Sequence, residues 1–339
     1  MLCDIVVKCL EYGIELAKIV CEELQNRGCD CILLSGGIDT SFVTSSYVTA
    51  KRDLRVITVA YDAISPDLEY AVYVGKSLRL KHLIHYPSLN EIVTCEEIVL
   101  RTMKTMDPIE VACDIPACIG LLQAEKLKCT HVATGDGGDE LFFGYSFLLN
   151  KTHEELSEWL NKMLTKGLFP SERLGKTLNI PVTAALFIPK VKEFSKKVPV
   201  ECKIGFFKNK VWGKLLLRLY LDYRGLEKVA WREKVPIIIG SGFEKILNVW
   251  KGKVTFEEAL KLHRDYGINF PSYPHVYLFK KLLEYNIEIP PVCKEEDKRC
   301  PICGRCMQSG FCSFCGTSID KKGIIIHYSD ELKEKLLGR

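Results

Sequence analysis

"LLSGGIDTSF", residues 33–42, decides how this chain folds and raises the question of what it does. An apolar run stops at Ser35-Gly36-Gly37, and Asp39, Thr40 and Ser41 then lead into a helical pattern. Strand, glycine loop and helix together present backbone amides and a helix dipole to phosphate. The spacing is not that of the P-loop, which needs Gly-x4-Gly-Lys-Ser/Thr. Gly36 and Gly37 let the backbone approach phosphate oxygens, while Ser35, Thr40 and Ser41 offer hydroxyl donors. Asp39 cannot face phosphate directly, so its expected role runs through a bridging Mg2+ ion. Taken alone, a Gly-Gly turn at a strand end would explain the stretch equally well.

Outward from this loop, strand and helix patterns alternate over the first 150 residues. Helical spacing over 8–27 puts Leu10, Ile14, Ala17, Cys21 and Leu24 on one face. Strands are predicted at 29–34, 54–61, 81–86 and 130–135, and helices at 40–49, 65–78, 88–104 and 115–127. Such alternation predicts an α/β fold, a doubly wound and mainly parallel sheet. From about Lys151 helical patterns dominate, interrupted by Pro170, Pro181, Pro189 and Pro199. Near Pro290 the composition changes again. Three consecutive segments are therefore expected: a nucleotide-binding α/β domain over 1–150, a helical continuation completing the site over 151–289, and a Cys-rich metal-binding tail over 290–339.

The bulk numbers exclude some classes. The chain has 339 residues, 47% hydrophobic and 27% charged, with net charge +4, too mild by itself to indicate a nucleic-acid binder. Residues 186–234 hold 13 Lys+Arg against 5 Asp+Glu, which suits a solvated face or a phosphate-rich partner equally. No apolar run reaches the ~18 residues of a membrane span. The start lacks a signal-peptide pattern, so a cytoplasmic location is expected. The 16 cysteines then call for metal sites, reactive thiols or buried packing, with disulfides ranked last.

A second glycine loop gives the first its meaning. "ATGDGGDELFFGY", residues 133–145, again ends a predicted strand in glycines and follows them with Asp136, Asp139 and Glu140. Ligands of open parallel sheets sit at the carboxyl ends of the strands, so two such loops can face one crevice. One carboxylate from each loop would complete a Mg2+ site, leaving Asp136 as a proton acceptor. Asp62 and Asp67 read more simply as capping or surface acids.

Together, "SGGIDTS", "SPDLEYA" and "TGDGGDELFFGY" resemble the synthetase domain of the asparagine synthetase family, ATP pyrophosphatases with an SGGxDS loop. "WREKVPIIIGSGF", residues 231–243, is similar to that family's later lysine segment. The resemblance covers roughly residues 20–250 and implies an ATP-dependent, AMP-forming carbon–nitrogen ligase. ATP would place adenine near Leu33, Val59 and Gly135 and its phosphates on Ser35, Gly36, Gly37, Asp39, Thr40 and Ser41. Asp39 and Asp139 would hold Mg2+, and Lys234 would meet the pyrophosphate. Asp136 occupies the position where relatives place Glu or Tyr for proton transfer. A substrate carboxylate is adenylated, and a nitrogen nucleophile then displaces AMP.

Two features depart from the family. Glutamine-using members begin Met-Cys-Gly, whereas this chain begins Met1-Leu2-Cys3-Asp4, with about thirty residues before the loop. No glutaminase domain is therefore expected, and nitrogen is expected from ammonia, an amine or a donor protein; the carboxylate acceptor is left open. The second departure is the tail. Cys300-x2-Cys303 and Cys312-x2-Cys315, each followed by glycine, suit tetrahedral Zn2+, with an iron–sulfur cluster as the lesser alternative because Cys293 and Cys306 offer spare thiolates. A basic segment, a metal module and an SGGxDS loop also fit a tRNA sulfurtransferase, which would use Cys113 and Cys118; simple packing is the other reading of both. Cys9, Cys21, Cys29, Cys31 and Cys129 read as core, and His82, His85 and His131 as structural.

Overall fold

A strand as short as Cys31–Leu33 (β1) must be covered on both faces, and the fold provides that cover. A computed structural model describes residues 2–51, 53–320, 322–327, 329, 331, 332 and 336, with Leu2 and Cys3 described by their backbone alone. Met1 and ten other positions of the sequence lie outside the described residues, most of them in the expected tail segment. The chain forms two compact units. One contains Met1–Tyr86 and Gly120–Pro236; the other contains Pro87–Ile119 and Ile237–Arg339. This division is discontinuous in sequence and does not run along boundaries at 150 and 289.

The first unit is built on a five-stranded parallel sheet in the order β3-β2-β1-β4-β5. Its remaining strands are Arg55–Val59 (β2), Lys81–His85 (β3), Val132–Thr134 (β4) and Val182–Ala184 (β5). Cys31 pairs with Arg55 on one side and Val132 on the other. The fifth strand falls where helical patterns were expected, between Pro181 and Pro189 with no glycine loop behind it. The order makes β1 and β4 parallel neighbours, and the sequence in which strands are added reverses at that point. Both glycine loops therefore leave adjacent strand ends.

Helices cover the sheet. Leu2–Asn26 (α1) buries Leu16, Val20 and Leu24 completely. Ile38–Tyr47 (α2) begins straight after Gly37, whose extended backbone (φ −71°, ψ 167°) carries no side-chain cap, so the first-turn amides stay available. Leu68–Ser77 (α3) follows β2. The chain then runs through Leu89–Met103 (α4) and Pro108–Lys126 (α5) back to β4, followed by the short helix Gly138–Leu141 (α6). Beyond it come His153–Leu164 (α7), Pro170–Leu178 (α8), Pro189–Lys197 (α9) and Val200–Lys203 (α10). A hairpin, Ile204–Phe207 (β6) with Lys210–Gly213 (β7), turns through Lys208 and Asn209 at φ 46° and 63°. It delivers the chain into Leu215–Tyr223 (α11), whose Leu216, Leu217 and Leu221 join the core with Phe42 and Val20.

In the second unit, α4 packs with Tyr273–Glu284. There Glu96 is buried and accepts hydrogen bonds from Trp250 Nε1 (2.7 Å) and the Tyr277 hydroxyl (3.0 Å). The unit also carries the cysteine tail. Here the ranking of disulfides last needs correction: Cys9 is bonded to Cys202, and Cys293 to Cys306. The first pair is 193 residues apart, a closeness no sequence period reveals. The second removes Cys293 and Cys306 as spare thiolates for a cluster.

Candidate active site

The two glycine loops meet at backbone distance. A Cβ on Gly135 would lie 2.7 Å from the Thr40 amide nitrogen, and one on Gly138 would lie 2.1 Å from Asp39 Oδ1. Only residues without side chains let β4's loop approach α2 this closely. Within the first loop, Ser35 N–H donates to Thr40 Oγ1 (3.2 Å), and Gly37 N–H donates to Ser35 Oγ (3.2 Å). Gly36 adopts φ 84° and lies against the start of α3, where a Cβ would strike the Asp67 carbonyl. Ser41 is fully buried and its hydroxyl has no partner, so among the expected hydroxyls it alone faces the interior. The Leu33 and Val59 side chains pack on Gly120, where a Cβ would meet Leu33 at 3.0 Å and Val59 at 3.6 Å.

Charge is concentrated between the loops. The Lys214 ammonium, just before α11, donates to Asp39 Oδ2 at 2.5 Å and lies 2.8 Å from Asp139 Oδ1. Lys234 Nζ reaches the same Asp139 oxygen at 2.5 Å. Burial, together with Asp139, raises the Asp39 pKa to about 6 against the pull of Lys214. Asp139 meets burial too, but its two lysines outweigh it and hold its pKa below the usual value. Burial disfavours the Lys214 ammonium, yet Asp139 and Asp39 outweigh that and keep it charged.

Asp136 is turned to a different environment. Thr134 and Ser171 hydroxyls donate to its Oδ2 at 2.8 and 2.5 Å. Burial raises its pKa, and those two donors only partly offset the rise. Glu140, 4% exposed, accepts from Lys166 (2.7 Å) and from the Tyr145 hydroxyl (3.1 Å).

Several contributors were not anticipated. Lys214 sits in "VWGKLLLRL", where a lone lysine entering an apolar helix was the available signal. Arg232 donates to the Gly36 carbonyl (2.9 Å), pairs with buried Asp67 and stacks over Tyr70 at 3.9 Å. Asp67 is thus no surface acid: it anchors the arginine that braces the first glycine loop. The histidines are structural as expected, with His82 bonded to Thr58 (2.7 Å) and His131 to Thr183 (2.8 Å). Cys118 is fully buried, and burial pushes the Cys113 thiol up to about 12, so neither is a poised thiolate.

In the second unit, the Sγ atoms of Cys300, Cys303, Cys312 and Cys315 all lie within 4.8 Å of one another. Cys300 and Cys315 are 3.6 Å apart and Cys303 and Cys312 3.5 Å, near the ~3.8 Å that a tetrahedron with ~2.3 Å metal–sulfur bonds requires. Gly304 and Gly316 follow their knuckles at φ 77° and 70°. The Thr317 hydroxyl is 3.0 Å from Cys315 Sγ, and His275 Nε2 is 3.2 Å from the Cys315 carbonyl.

The Asparagine synthase family model matches residues 14–197, more than half the chain. The chain belongs to the asparagine synthase family. The matched span contains both glycine loops, while Lys214 and Lys234 lie beyond it. Asparagine synthetase B [glutamine-hydrolyzing] of Escherichia coli is 22% identical over 76% of this chain and 50% of its own length. A putative asparagine synthetase [glutamine-hydrolyzing] of Methanocaldococcus jannaschii is 28% identical over 53% of this chain and 34% of its own. An asparagine synthetase domain-containing protein of Drosophila melanogaster is 24% identical over 62% and 44%. The chain thus spans about half the length, or less, of these relatives. Among the described residues, no helix is long and apolar enough to cross a membrane.

Proposed function

We propose that the chain is an ATP-dependent, AMP-forming ligase that adenylates a substrate carboxylate and converts it to an amide. The observation that carries this reading is the pairing of Asp39 and Asp139, from separate strand ends, around two lysines. Asp39 Oδ1 is buried without a hydrogen-bond partner, in a cradle that any side chain at position 138 would fill. That donor set fits Mg2+, and Asp39 and Asp139 are the residues that would hold it. Bound there, the ion would neutralise phosphate charge and make pyrophosphate a better leaving group.

The chain's own residues account for the remaining chemistry. Amides of the Ser35–Ser41 loop, with Arg232 bracing Gly36, bind the phosphates of ATP, and the strand ends at Leu33, Val59 and Gly135 take the adenine. A carboxylate oxygen attacks the α-phosphorus as the α–β phosphate bond breaks. Lys214 and Lys234 receive the charge on the departing pyrophosphate. A nitrogen lone pair then attacks the acyl carbon, the bond to AMP breaks, and Asp136 accepts the proton. Both hydroxyl donors sit on Oδ2, so Oδ1 is the proton-accepting atom, and burial raises its basicity.

In this reading the tail cysteines hold Zn2+. Iron–sulfur is disfavoured because a cluster spreads its thiolates around a cube, whereas these four sulfurs converge on a single-ion volume. Ammonia, an amine or a donor protein supplies the nitrogen. A requirement for cytoplasmic ATP makes the cytoplasm the expected setting. The test is ATP–pyrophosphate exchange by the purified chain, screened against amino acids, other carboxylates and bulk tRNA. A carboxylate that switches exchange on supports the ligase; exchange switched on by tRNA alone overturns it.

A further inference from the structure

Lys234 lies in an irregular stretch between Glu227–Ala230 (α12) and Ile237–Gly240 (α13), so no helix or strand directs its side chain. Two contacts do so instead. Its ammonium meets Asp139 at 2.5 Å and sits over the Tyr145 ring, 4.5 Å from the centroid. An ammonium over an aromatic face is attracted by the ring's quadrupole. The side chain is otherwise one-third exposed.

The ring itself is firmly fixed. Its hydroxyl donates to Glu140, a buried carboxylate also held by Lys166. Phe147 stacks on it at 5.4 Å and 16°, and Trp159 meets it edge-on at 5.8 Å. Trp159 in turn donates its indole N–H to the Glu140 carbonyl (3.2 Å). Among the described residues, none of these side chains hydrogen-bonds the Asp39 or Asp139 carboxylate, so the metal-binding role does not explain why the ring is so constrained.

We propose that Tyr145 is a positioning residue: its ring face holds the Lys234 ammonium on the pyrophosphate side of the site. The inference rests on the pyrophosphate role given to Lys234 above. Asp139 serves two partners, Lys214 and Lys234, and when it is drawn to a divalent cation its hold on Lys234 weakens. Lys234 then keeps the neutral Tyr145 face, which orients the ammonium without cancelling the charge that pyrophosphate must meet. A carboxylate in the same place would hold the lysine equally well but would repel the anion.

The experiment is calorimetric binding of magnesium pyrophosphate to the full chain. Lys234→Met sets the scale by weakening binding. Tyr145→Leu weakens it by about 2- to 30-fold, the range of a cation–π contact from exposed to desolvated. Tyr145→Phe, which keeps the ring face and loses only the hydroxyl, restores binding to within about threefold. The Tyr145→Leu/Lys234→Met double variant binds no worse than Lys234→Met alone. If Tyr145→Leu fails to fold, pentafluorophenylalanine at position 145 keeps the ring shape while reversing its quadrupole, and the same loss is expected. Unchanged binding in Tyr145→Leu or the fluorinated variant, beside weakened binding in Lys234→Met, overturns the positioning role alone. Unchanged binding in Lys234→Met overturns the pyrophosphate reading beneath it.

Discussion

Replacing Lys214 with methionine keeps the length of the side chain and removes one charge from the centre of the site. In the native protein that ammonium is 4% exposed and lies 2.5 Å from one carboxylate and 2.8 Å from another. Without it, Asp39 and Asp139 face each other inside the protein with Lys234 as the remaining cation in direct contact among the described residues, and Arg218 farther off. Breaking a buried pair by removing one partner costs about 3–5 kcal/mol, because the orphaned charge stays desolvated. Lys214 is too buried for solvent to screen this substantially. For a unit of this size, about 2–4 °C of melting temperature accompanies each kcal/mol, so a fall of roughly 6–20 °C is expected by calorimetry. Adding Asp39→Asn to the variant should recover part of the loss, with a coupling of at least about 1 kcal/mol in the double-mutant cycle. Magnesium should also raise the melting temperature of Lys214→Met more than that of the native chain, since a divalent ion can replace the missing charge. A variant that melts within about 2 °C of the native protein, or a cycle without coupling, would refute the account of Lys214 as the electrostatic keystone between the loops.

Two further predictions concern the second unit. Cys300→Ser should abolish a zinc content of about one ion per chain, measured by elemental analysis after anaerobic purification, and destabilise the tail, whose folding energy the proposed metal would supply; iron with inorganic sulfide in the native protein would contradict this. Glu96 carries a pKa raised by burial, against the opposing effect of its Trp250 and Tyr277 hydrogen bonds. A carboxyl raised in the folded state stabilises most below its unfolded pKa and loses that contribution as pH rises through the folded value. The stability of the native chain relative to Glu96→Gln, from urea unfolding, should therefore fall between pH 4.5 and pH 7.5. A difference that grows with pH would contradict it.

The glycine loops were legible because their chemistry is local: glycines where backbones approach, carboxylates beside them, and strand-like runs of sequence before them. The first four strands fell where apolar runs and turn residues placed them. Val182–Ala184 did not: it lies between Pro181 and Pro189 with no glycine loop behind it, and its pairing with β4 is a property of the sheet. Lys214 and Arg232 were hidden for another reason. Each acts on a loop more than 170 residues away in sequence, Lys214 on Asp39 and Arg232 on Gly36, and burial of a cation shows only when its partners are in place. Asp67 looked like a capping acid until Arg232 appeared beside it. The disulfide partners of Cys9 and Cys293 were equally invisible, since sixteen cysteines admit too many pairings to choose among.

Most directly at issue is which bond of ATP the site breaks. Two carboxylates and two lysines gathered at the glycine loops account for cleavage between the α- and β-phosphates. Chromatography of α-labelled ATP after incubation with the chain, magnesium, ammonia and an activating carboxylate should show AMP, with pyrophosphate formed in equal amount. Labelled ADP accompanied by orthophosphate would contradict the account.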